Sequence, residues 1–379
     1  ALIHAATMVT AGVYLIVRSN FVFDAAPTAQ LLVVIVGAIT LLFGALVGTA
    51  KDDIKKALAA STMSQIGYMI LAAGLGPVGY AFAIMHLLTH GFFKAGMFLG
   101  AGSVMHGMND EVNMRKFGAL RKFMPLTFIT FGLGYLAIIG VPPFAGFYSK
   151  DKIIETAFNE GGIKGIALGV ATLLGAAITA FYMTRVIILT FFGNERWGNK
   201  DEPHESPALM MIPIILLSVS YIASGYLLST GKNLVNWLEP VVNPLKEHHS
   251  EELFSHTTVS IMTLSAVVIG VSIALRKYRG DQLENAPEKV SKLTIAARKD
   301  LYQDSFNEAT FMRPGQSLIG KLLKLDHNII DGAVRSIGGI ANSSASKLRS
   351  LQSGYVRSYA LMMVIGVLVL VGVVWIVTA

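Results

Sequence analysis

Apolar stretches of about 20 residues alternate with shorter polar stretches along the whole sequence, and this is the length of a helix that crosses the core of a bilayer. A helix satisfies its own backbone hydrogen bonds within lipid, and no alternating strand pattern competes with it. We therefore predict an all-α membrane protein. Its nine predicted transmembrane helices lie at residues 1–19, 31–50, 57–75, 79–105, 125–160, 164–192, 207–229, 257–275 and 356–378.

The fifth predicted span is expected to be broken. It contains Gly140, the adjacent pair Pro142 and Pro143, and Gly146. Two prolines remove two amide donors, and their rings clash with the preceding helical turn. Ser149 is then a candidate N-cap for a second half-helix.

Lys150 follows this predicted break, with Asp151 beside it. Interrupted helices expose backbone and charge at membrane depth in transporters. Lys150 is therefore a candidate titrating group, and the Asp151 carboxylate would tune its pKa. The alternative is that the span ends at Val141 and that Lys150 lies in an ordinary loop.

Two longer polar segments interrupt the pattern of spans. Residues 230–256 are predicted to form a polar loop that carries Trp237 and an acidic, histidine-rich run at 247–252. Residues 277–354 contain, from about Gly315 to Ser353, apolar residues at the three-to-four spacing of one helical face. These residues are Leu318, Leu322, Leu325, Ile329, Ala333, Ile337 and Ile340.

The periodic stretch predicts a long amphipathic lateral helix of roughly 55–60 Å at 1.5 Å per residue. It is too long and too polar to cross a bilayer, so it is expected to lie along the membrane surface. The alternative is a pair of short helices broken near Gly338 and Gly339.

Charge supports a membrane protein and suggests its orientation. Charged residues make up 15% of the chain, against about a quarter in soluble domains. The net charge of +7 does not indicate nucleic-acid binding, because most basic residues lie in short loops between the predicted spans, in every second loop and therefore on one side. Basic loops face the cytoplasm, which places the first residue and the lateral helix on the cytoplasmic side and the C-terminus outside. The basic residues used are Lys51, Lys55, Lys56, Arg115, Lys116, Arg121, Lys122, Arg196, Lys200, Arg276, Lys277 and Arg279.

The 379 residues contain no cysteine, which excludes disulfides, iron–sulfur clusters and thiolate metal sites from them. Any redox chemistry is therefore expected in another chain. Ala1 opens an apolar stretch without the basic start of a signal peptide. We expect the sequence to begin inside a transmembrane helix, with an upstream part elsewhere.

The fourth predicted span carries three ionisable residues, His86, His90 and Lys94. Spacings of four place them on one helical face, about one turn apart. Ionisable side chains within membranes are costly and usually face a hydrated interior or a partner charge. A proton or cation relay is the favoured interpretation; structural hydrogen bonding is the main alternative. Metal binding is less favoured, because His-x-x-x-His supplies only two ligands.

Other candidates are less specific. His4 is a lone histidine in the first span and could serve packing or a relay equally well. Lys55 follows acidic residues at a predicted helix start, where it could mark topology or an ion access point. Gly96 and Gly100 form a GxxxG pattern that is typical of close helix packing.

Four stretches, in order, resemble the L-subunit (chain 5) family of respiratory complex I, the proton-translocating NADH:quinone oxidoreductase. They are Ala1–Ile16, Asp53–Gly67, His86–Lys94 and Phe144–Asp151. The resemblance implies two inverted five-helix units, each with a broken helix. It assigns residues 1–19 to the last helix of the first unit and 31–192 to the second unit. Further membrane helices at 207–276, a linker with the lateral helix at 277–354 and an anchor at 355–379 complete the implied arrangement.

The resemblance also implies site residues. Lys94, His86, His90 and Lys150 match residues on a hydrated axis within the membrane, and Lys55 and His4 gain support by matching the same motifs. The family's glutamate and lysine of the first unit are not in this sequence. Lys152 departs from the family pattern, where an acid is expected, and adds positive charge near the break.

The implied function is proton translocation driven by redox chemistry in other subunits, with flavin, iron–sulfur clusters and quinone held there and no cofactor in this chain. The implied partners are neighbouring antiporter-like subunits, contacted by the lateral helix, in a bacterial inner membrane. The alternatives are a subunit of a multi-subunit Na⁺(K⁺)/H⁺ antiporter, which shares the same core, and a purely structural membrane subunit. A lateral helix and the lack of carboxylates deep within uninterrupted spans favour the first.

Overall fold

The computed structural model describes residues 3, 7–198, 202–242, 253–280, 286–287 and 290–379. It divides into two units, Ala1–Tyr302 and Gln303–Ala379. The described residues form helices and no strands. A single β-bridge between Asp53 and Asn113 is the only β pairing among them.

The first unit contains twelve of the helices labelled here. After a 3₁₀ turn at Met8–Thr10, they are α1 (Ala11–Arg18), α2 (Asn20–Asp24), α3 (Pro27–Gly48), α4 (Ile54–Gly74), α5 (Pro77–Gly107), α6 (Pro125–Ile139), α7 (Ala145–Phe158), α8 (Gly162–Phe191), α9 (Ala208–Ser229), α10 (Asn233–Val242), α11 (His256–Tyr278) and α12 (Lys292–Arg298).

The second unit is the predicted lateral helix followed by a final apolar helix. Helices α13 (Gln303–Asn307), α14 (Arg313–Leu325) and α15 (Asp331–Arg349) are joined through π-helical turns into one uninterrupted helix. Gly338 and Gly339 lie inside α15, so the alternative of two helices broken at these glycines is wrong. After a short turn, α16 (Val356–Thr378) ends the chain.

Six described helices are long and apolar enough to cross a membrane, namely α3, α5, α8, α9, α11 and α16. The apolar stretches Met8–Arg18 and Pro125–Ile139 are shorter. Helix α4 has 21 residues, but its small and polar side chains lower its mean hydropathy. The predicted spans from 31–50 onward each coincide with a described helix, or with the pair α6–α7, to within a few residues. Of the first predicted span, 1–19, the described helical part is Met8–Arg18. The chain is a multi-pass, all-α membrane protein.

The predicted break is present between α6 and α7. Gly140 adopts a left-handed conformation with φ of 82°, and the Pro142–Pro143 peptide bond is cis. A Cβ atom at Gly146 would lie 1.8 Å from the Ala137 carbonyl oxygen, so the returning helix passes close to the one that has just ended. The second half-helix begins at Ala145 with Phe144 as its N-cap.

The prediction that Ser149 is an N-cap is therefore wrong. Helix α7 restarts directly after the prolines, because proline is well tolerated just before or within a first helical turn. Ser149 lies in the second turn, and its hydroxyl is free to bond to another helix.

Glycines allow α3 and α4 to pack at backbone distance. A Cβ atom at Gly67 would lie 2.3 Å from the backbone nitrogen of Leu41, and one at Gly44 would lie 2.5 Å from the nitrogen of Ser64. Small residues bring membrane helices close enough for dispersion contacts between backbones. The α3–α4 pair is thus tightly fitted.

The predicted packing role of the GxxxG pattern is confirmed. A Cβ atom at Gly96 would overlap the Tyr221 hydroxyl, and one at Gly100 would lie 3.0 Å from the Phe131 ring. These glycines let α9 and α6 approach α5.

Part of the predicted polar loop at 230–256 is helical, which corrects that expectation. Helix α10 buries Leu234 and Val242 and exposes Trp237. The Asn20 amide donates a hydrogen bond of 3.1 Å to the Val241 carbonyl. Apolar residues at helical spacing explain this element; the acidic, histidine-rich run at 247–252 lies outside the described residues.

Candidate functional site

Three of the four ionisable residues first singled out lie along α5, and the fourth, Lys150, lies on α7 beyond the break. His86, His90, Lys94 and Lys150 are all at most 1% exposed. The His86 and His90 ring centroids are 5.9 Å apart, as expected for neighbours one turn apart on a helix. The sequence therefore brings four ionisable groups into the packed interior of the first unit.

His86 is held at both ring nitrogens. Its Nδ1 atom lies 2.8 Å from the Ser149 hydroxyl of α7, and its Nε2 atom lies 3.1 Å from Oε1 of Gln65 on α4. The Thr89 hydroxyl also bonds to Ser149, at 3.0 Å. This network joins α4, α5 and α7 through one imidazole.

The geometry accommodates both charge states of His86. With neutral His86, Nε2–H donates to Gln65, while the Ser149 hydroxyl donates to Nδ1 and accepts from Thr89. With His86 protonated, Nδ1–H donates to the Ser149 oxygen. The Ser149 proton can then turn to the Ala145 carbonyl at 3.3 Å, and that of Thr89 to the Met85 carbonyl at 3.0 Å. Two hydroxyl rotations are sufficient for the change.

The helix break supplies the Lys150 partner. Near the end of α6, the amide of Gly140 bonds to the Ala137 carbonyl and that of Val141 to the Leu136 carbonyl. The Ile138 carbonyl is left for a side chain, as expected at a helix C-terminus, and the Lys150 ammonium donates to it at 3.1 Å. The partial negative charge at a helix C-terminus favours a cation there.

An aromatic ring completes the Lys150 environment. The ammonium lies 5.0 Å from the centroid of the Tyr68 ring, within the range of a cation–π contact. The Tyr68 hydroxyl is fixed by a short hydrogen bond to the Thr172 carbonyl of α8. Lys150 is thus held by one carbonyl and one ring, without a counterion among the described residues.

His90 and Lys94 differ from their neighbours. Among the described residues, neither ring nitrogen of His90 nor the Lys94 ammonium has a hydrogen-bond partner. The Lys94 ammonium lies 5.9 Å from the Phe98 ring centroid. Since nearly all buried polar groups in folded proteins are hydrogen-bonded to protein or water, His90 and Lys94 need water as a partner to be satisfied in this arrangement.

Asp151 does not pair with Lys150 in the described structure. The two residues are adjacent on α7, and successive side chains on a helix point about 100° apart. Asp151 is 2% exposed and accepts a short hydrogen bond from Ser260 of α11. Any influence of Asp151 on Lys150 therefore acts through space and not through a direct ion pair.

Lys152, whose positive charge was expected near the break, has an acidic partner. Its ammonium lies 2.9 Å from Glu155, one turn along α7, and the same carboxylate oxygen lies 2.6 Å from Nδ1 of His256 on α11. The added charge is therefore compensated locally.

Two candidates are not part of this cluster in the described structure. Lys55 is exposed in the first turn of α4, where its backbone amide is capped by Asp53 at 2.8 Å. His4 lies outside the described residues. Lys150, Lys94, His86 and His90 form the interior site, with Asp151 at its edge.

Three buried polar residues, Arg185, Gln65 and Tyr68, were not singled out in the sequence analysis. Arg185, 1% exposed on α8, forms a short ion pair with Asp52 and donates to the Lys51 carbonyl. Arg115 contacts the same Asp52 at 2.9 Å. Arg185 could have been found from the sequence, because an arginine within a long apolar stretch usually has a buried polar or charged partner. Gln65 and Tyr68 could not be found in this way, because their roles depend on which helices become neighbours.

Known proteins match the chain in sequence. Residues 1–175 match the family described as NADH:quinone oxidoreductase/Mrp antiporter, transmembrane. The chain is 58% identical to NADH-quinone oxidoreductase subunit L of Mycobacterium tuberculosis H37Rv, over 97% of this chain and 58% of that protein. It is 37% identical to NAD(P)H-quinone oxidoreductase chain 5 of Picosynechococcus sp. PCC 7002, over 95% and 58% respectively. The chain thus spans somewhat more than half the length of these relatives.

Solved structures share the fold. The Mrp complex from Dietzia sp. DQ12-45-1b aligns with a TM-score of 0.63 and 24% identity, over 92% of this chain and 37% of that one. An archaeal membrane-bound sulfane sulfur reductase aligns with a TM-score of 0.53 and 24% identity, over 91% and 56%. Residues 1–175 thus match the NADH:quinone oxidoreductase/Mrp antiporter transmembrane family, and the chain is similar, over nearly all of its length, to subunit L.

Proposed function

We propose that the chain is a proton-translocating, antiporter-like subunit of a membrane-bound NADH:quinone oxidoreductase. The observation that carries the proposal is Lys150, buried at a helix break against the Ile138 carbonyl. The Lys150 ammonium has no counterion among the described residues and is held only by a carbonyl and an aromatic ring, so no ion pair fixes its proton. The similarity to subunit L supports the same function.

In this proposal Lys150, Lys94, His86 and His90 exchange protons within the membrane. His86 can change its charge by two hydroxyl rotations, and water would bridge the gaps at His90 and Lys94. Repulsion between like charges would pass the signal along the complex. The chain's own residues hold and move protons, while flavin, iron–sulfur clusters and quinone belong to partner subunits.

The observed helices support the proposed organisation. Helices α3, α4, α5, the broken pair α6–α7 and α8 would form a five-helix unit at residues 31–192, and residues 1–19 would end the preceding unit. Residues 207–276 would add further spans. Basic residues in every second loop, and so on one side, support a bacterial inner-membrane orientation. The N-terminal end of this chain and the 277–354 segment would be cytoplasmic, and the 355–379 anchor would end outside.

The test of the proposal is Lys150→Ala in the assembled complex, reconstituted into liposomes. We expect proton pumping to be abolished while quinone reduction survives at least in part. Lys150→Arg should fail in the same way, since arginine stays charged. Lys164→Ala is a matched control, because this lysine pairs with Glu160 at the exposed start of α8. Unaltered pumping in Lys150→Ala would remove Lys150 from the mechanism.

A second candidate is a subunit of a multi-subunit Na⁺(K⁺)/H⁺ antiporter, favoured by the structural likeness to the Mrp complex. The two functions differ in their partners and their ion. Co-purification with flavin- and iron–sulfur-containing chains, and pumping that persists without Na⁺, would support the first. Absence of those chains together with Na⁺-dependent proton movement would support the second.

A further inference from the structure

A groove of about 490 Å³ lies between α6, α8 and α11 and shares no residue with the interior site. Helix α8 packs against both α6 and α11, so it forms the floor between them. The lining residues of α11 run from Val271 to Tyr278, which is about 10 Å along the helix at 1.5 Å per residue. Gly193 and Gly280, just beyond the ends of α8 and α11, line the mouth.

The walls of this groove are mainly apolar, and the polar side chains on two of them satisfy each other. The Tyr135 hydroxyl of α6 donates to the Thr184 hydroxyl of α8 at 2.9 Å, and Thr184 donates to the Ala180 carbonyl of its own helix. Ile188 and Leu275 lie beside them. Apolar cavities hold apolar ligands and not water, so the groove suits a hydrocarbon chain.

The mouth of the groove is positively charged. Arg279 lines it and is exposed at the end of α11. The Arg121 guanidinium lies 4.6 Å from the ring centroid of Phe192, which lines the same groove. Neither arginine has an acidic partner among the described residues, whereas Arg185 of α8 has one. The planar guanidinium group is well suited to binding phosphate.

We propose that this groove is a binding site for one anionic diacyl phospholipid. One acyl chain would lie between α6 and α11, and the phosphate would lie at the mouth beside Arg279 and Arg121. The apolar walls fit the chain and the two arginines complement the headgroup, which lies at the ends of membrane helices. The site is separate from Lys150 and does not depend on the proposed function.

The test is photo-crosslinking of the intact complex in detergent, with phosphatidylglycerol that carries a diazirine in one acyl chain. We expect adducts on groove-lining residues such as Ile188 and Val271, located by mass spectrometry of peptides. Excess unlabelled phosphatidylglycerol should remove these adducts. Phosphatidylcholine, which has no net charge, and inorganic phosphate, which has no acyl chain, should not.

Substitutions test the two halves of the site separately. Arg279→Gln should lower the affinity for phosphatidylglycerol about fivefold, the usual effect of one basic residue at an anionic headgroup. Arg276→Gln is the matched control, because Arg276 lies in the last turn of the same helix but does not line the groove. Val271→Trp should remove the adducts by filling the groove. The two arginine variants leave its volume unchanged, so they test the site even if Val271→Trp fails to assemble.

Four results would overturn the proposal. Competition by phosphatidylcholine as strong as that by phosphatidylglycerol would exclude recognition of the anionic headgroup. Adducts that persist in Val271→Trp, or equal affinities in Arg279→Gln and Arg276→Gln, would place the lipid elsewhere. A lack of adducts in the intact complex would mean that a partner chain covers the groove.

Discussion

At the scale of single residues, the hydroxyl groups of Ser149 and Thr89 form hydrogen bonds that can adapt to either charge state of the buried His86 imidazole. Neither hydroxyl carries charge, yet each can donate in one direction or another by rotation. His86 is bonded at both nitrogens, so its ring orientation is fixed while its protonation is not. A buried polar network of this kind is costly when it is only partly satisfied.

We therefore expect Ser149→Ala to slow proton pumping roughly threefold to tenfold, because one neutral hydrogen bond is worth about 1 kcal/mol. The measurement is the initial rate of proton uptake by reconstituted complex at matched quinone turnover. Thr156→Ala on the same helix is the control, since the Thr156 hydroxyl bonds to the Lys152 carbonyl of its own helix. Equal rates in both variants would argue against a role for the network.

At the scale of elements, close helix packing positions the site. Helix α4 carries Gln65 and Tyr68, which contact His86 and Lys150, and α4 itself is placed by its glycine-mediated fit to α3. The broken helix contributes in another way, because the end of α6 leaves the Ile138 carbonyl free for Lys150. Backbone geometry therefore determines how closely α4 packs against α3, and it also places a free carbonyl group beside Lys150.

Gly67→Ala should destabilise the protein by about 1–3 kcal/mol, the usual cost of overpacking, because the added methyl group would meet the Leu41 backbone and not a movable side chain. The readout is the midpoint of thermal unfolding in detergent. Gly132→Ala on α6, where no atom lies within 4 Å of the added carbon, should be neutral or slightly stabilising through helix propensity. A midpoint for Gly67→Ala equal to that of Gly132→Ala would disprove the tight α3–α4 fit.

At the scale of the whole molecule, the second unit differs in kind from the first. Its long helix exposes a row of apolar residues that includes Leu322, Ile329 and Ile337, and its final helix α16 buries none of its residues within the chain. We propose that neighbouring antiporter-like subunits contact the lateral helix, in agreement with its amphipathic pattern.

Ile329→Pro should weaken attachment of this subunit to its complex, because an internal proline removes a helical hydrogen bond and costs about 3 kcal/mol. Native gels would then show a smaller complex or free subunit. Ser353→Pro, placed after the end of α15, is the control and should assemble normally. Intact complexes in Ile329→Pro would contradict the proposed contact between the lateral helix and neighbouring subunits.

Much of the architecture could be read from the sequence. The length of the apolar stretches predicted the spans, and the adjacent prolines predicted the break. The three-to-four spacing of apolar residues predicted the long helix. The placement of Ser149 as a cap was wrong, because the exact residue at which a helix restarts depends on local backbone geometry. Gln65 and Tyr68 were missed as site residues for a different reason, since nothing within α4 distinguishes them from other polar residues facing a neighbour.

The sequence by itself determined which residues are apolar, where the helix must break and which ionisable groups lie within the spans, because hydrophobic transfer and proline geometry act locally along the chain. Only the tertiary structure decided that Lys150 meets the Ile138 carbonyl and the Tyr68 ring, that Asp151 turns to Ser260, and that Arg185 reaches Asp52. These contacts join helices distant in sequence, so they depend on packing and not on any local pattern.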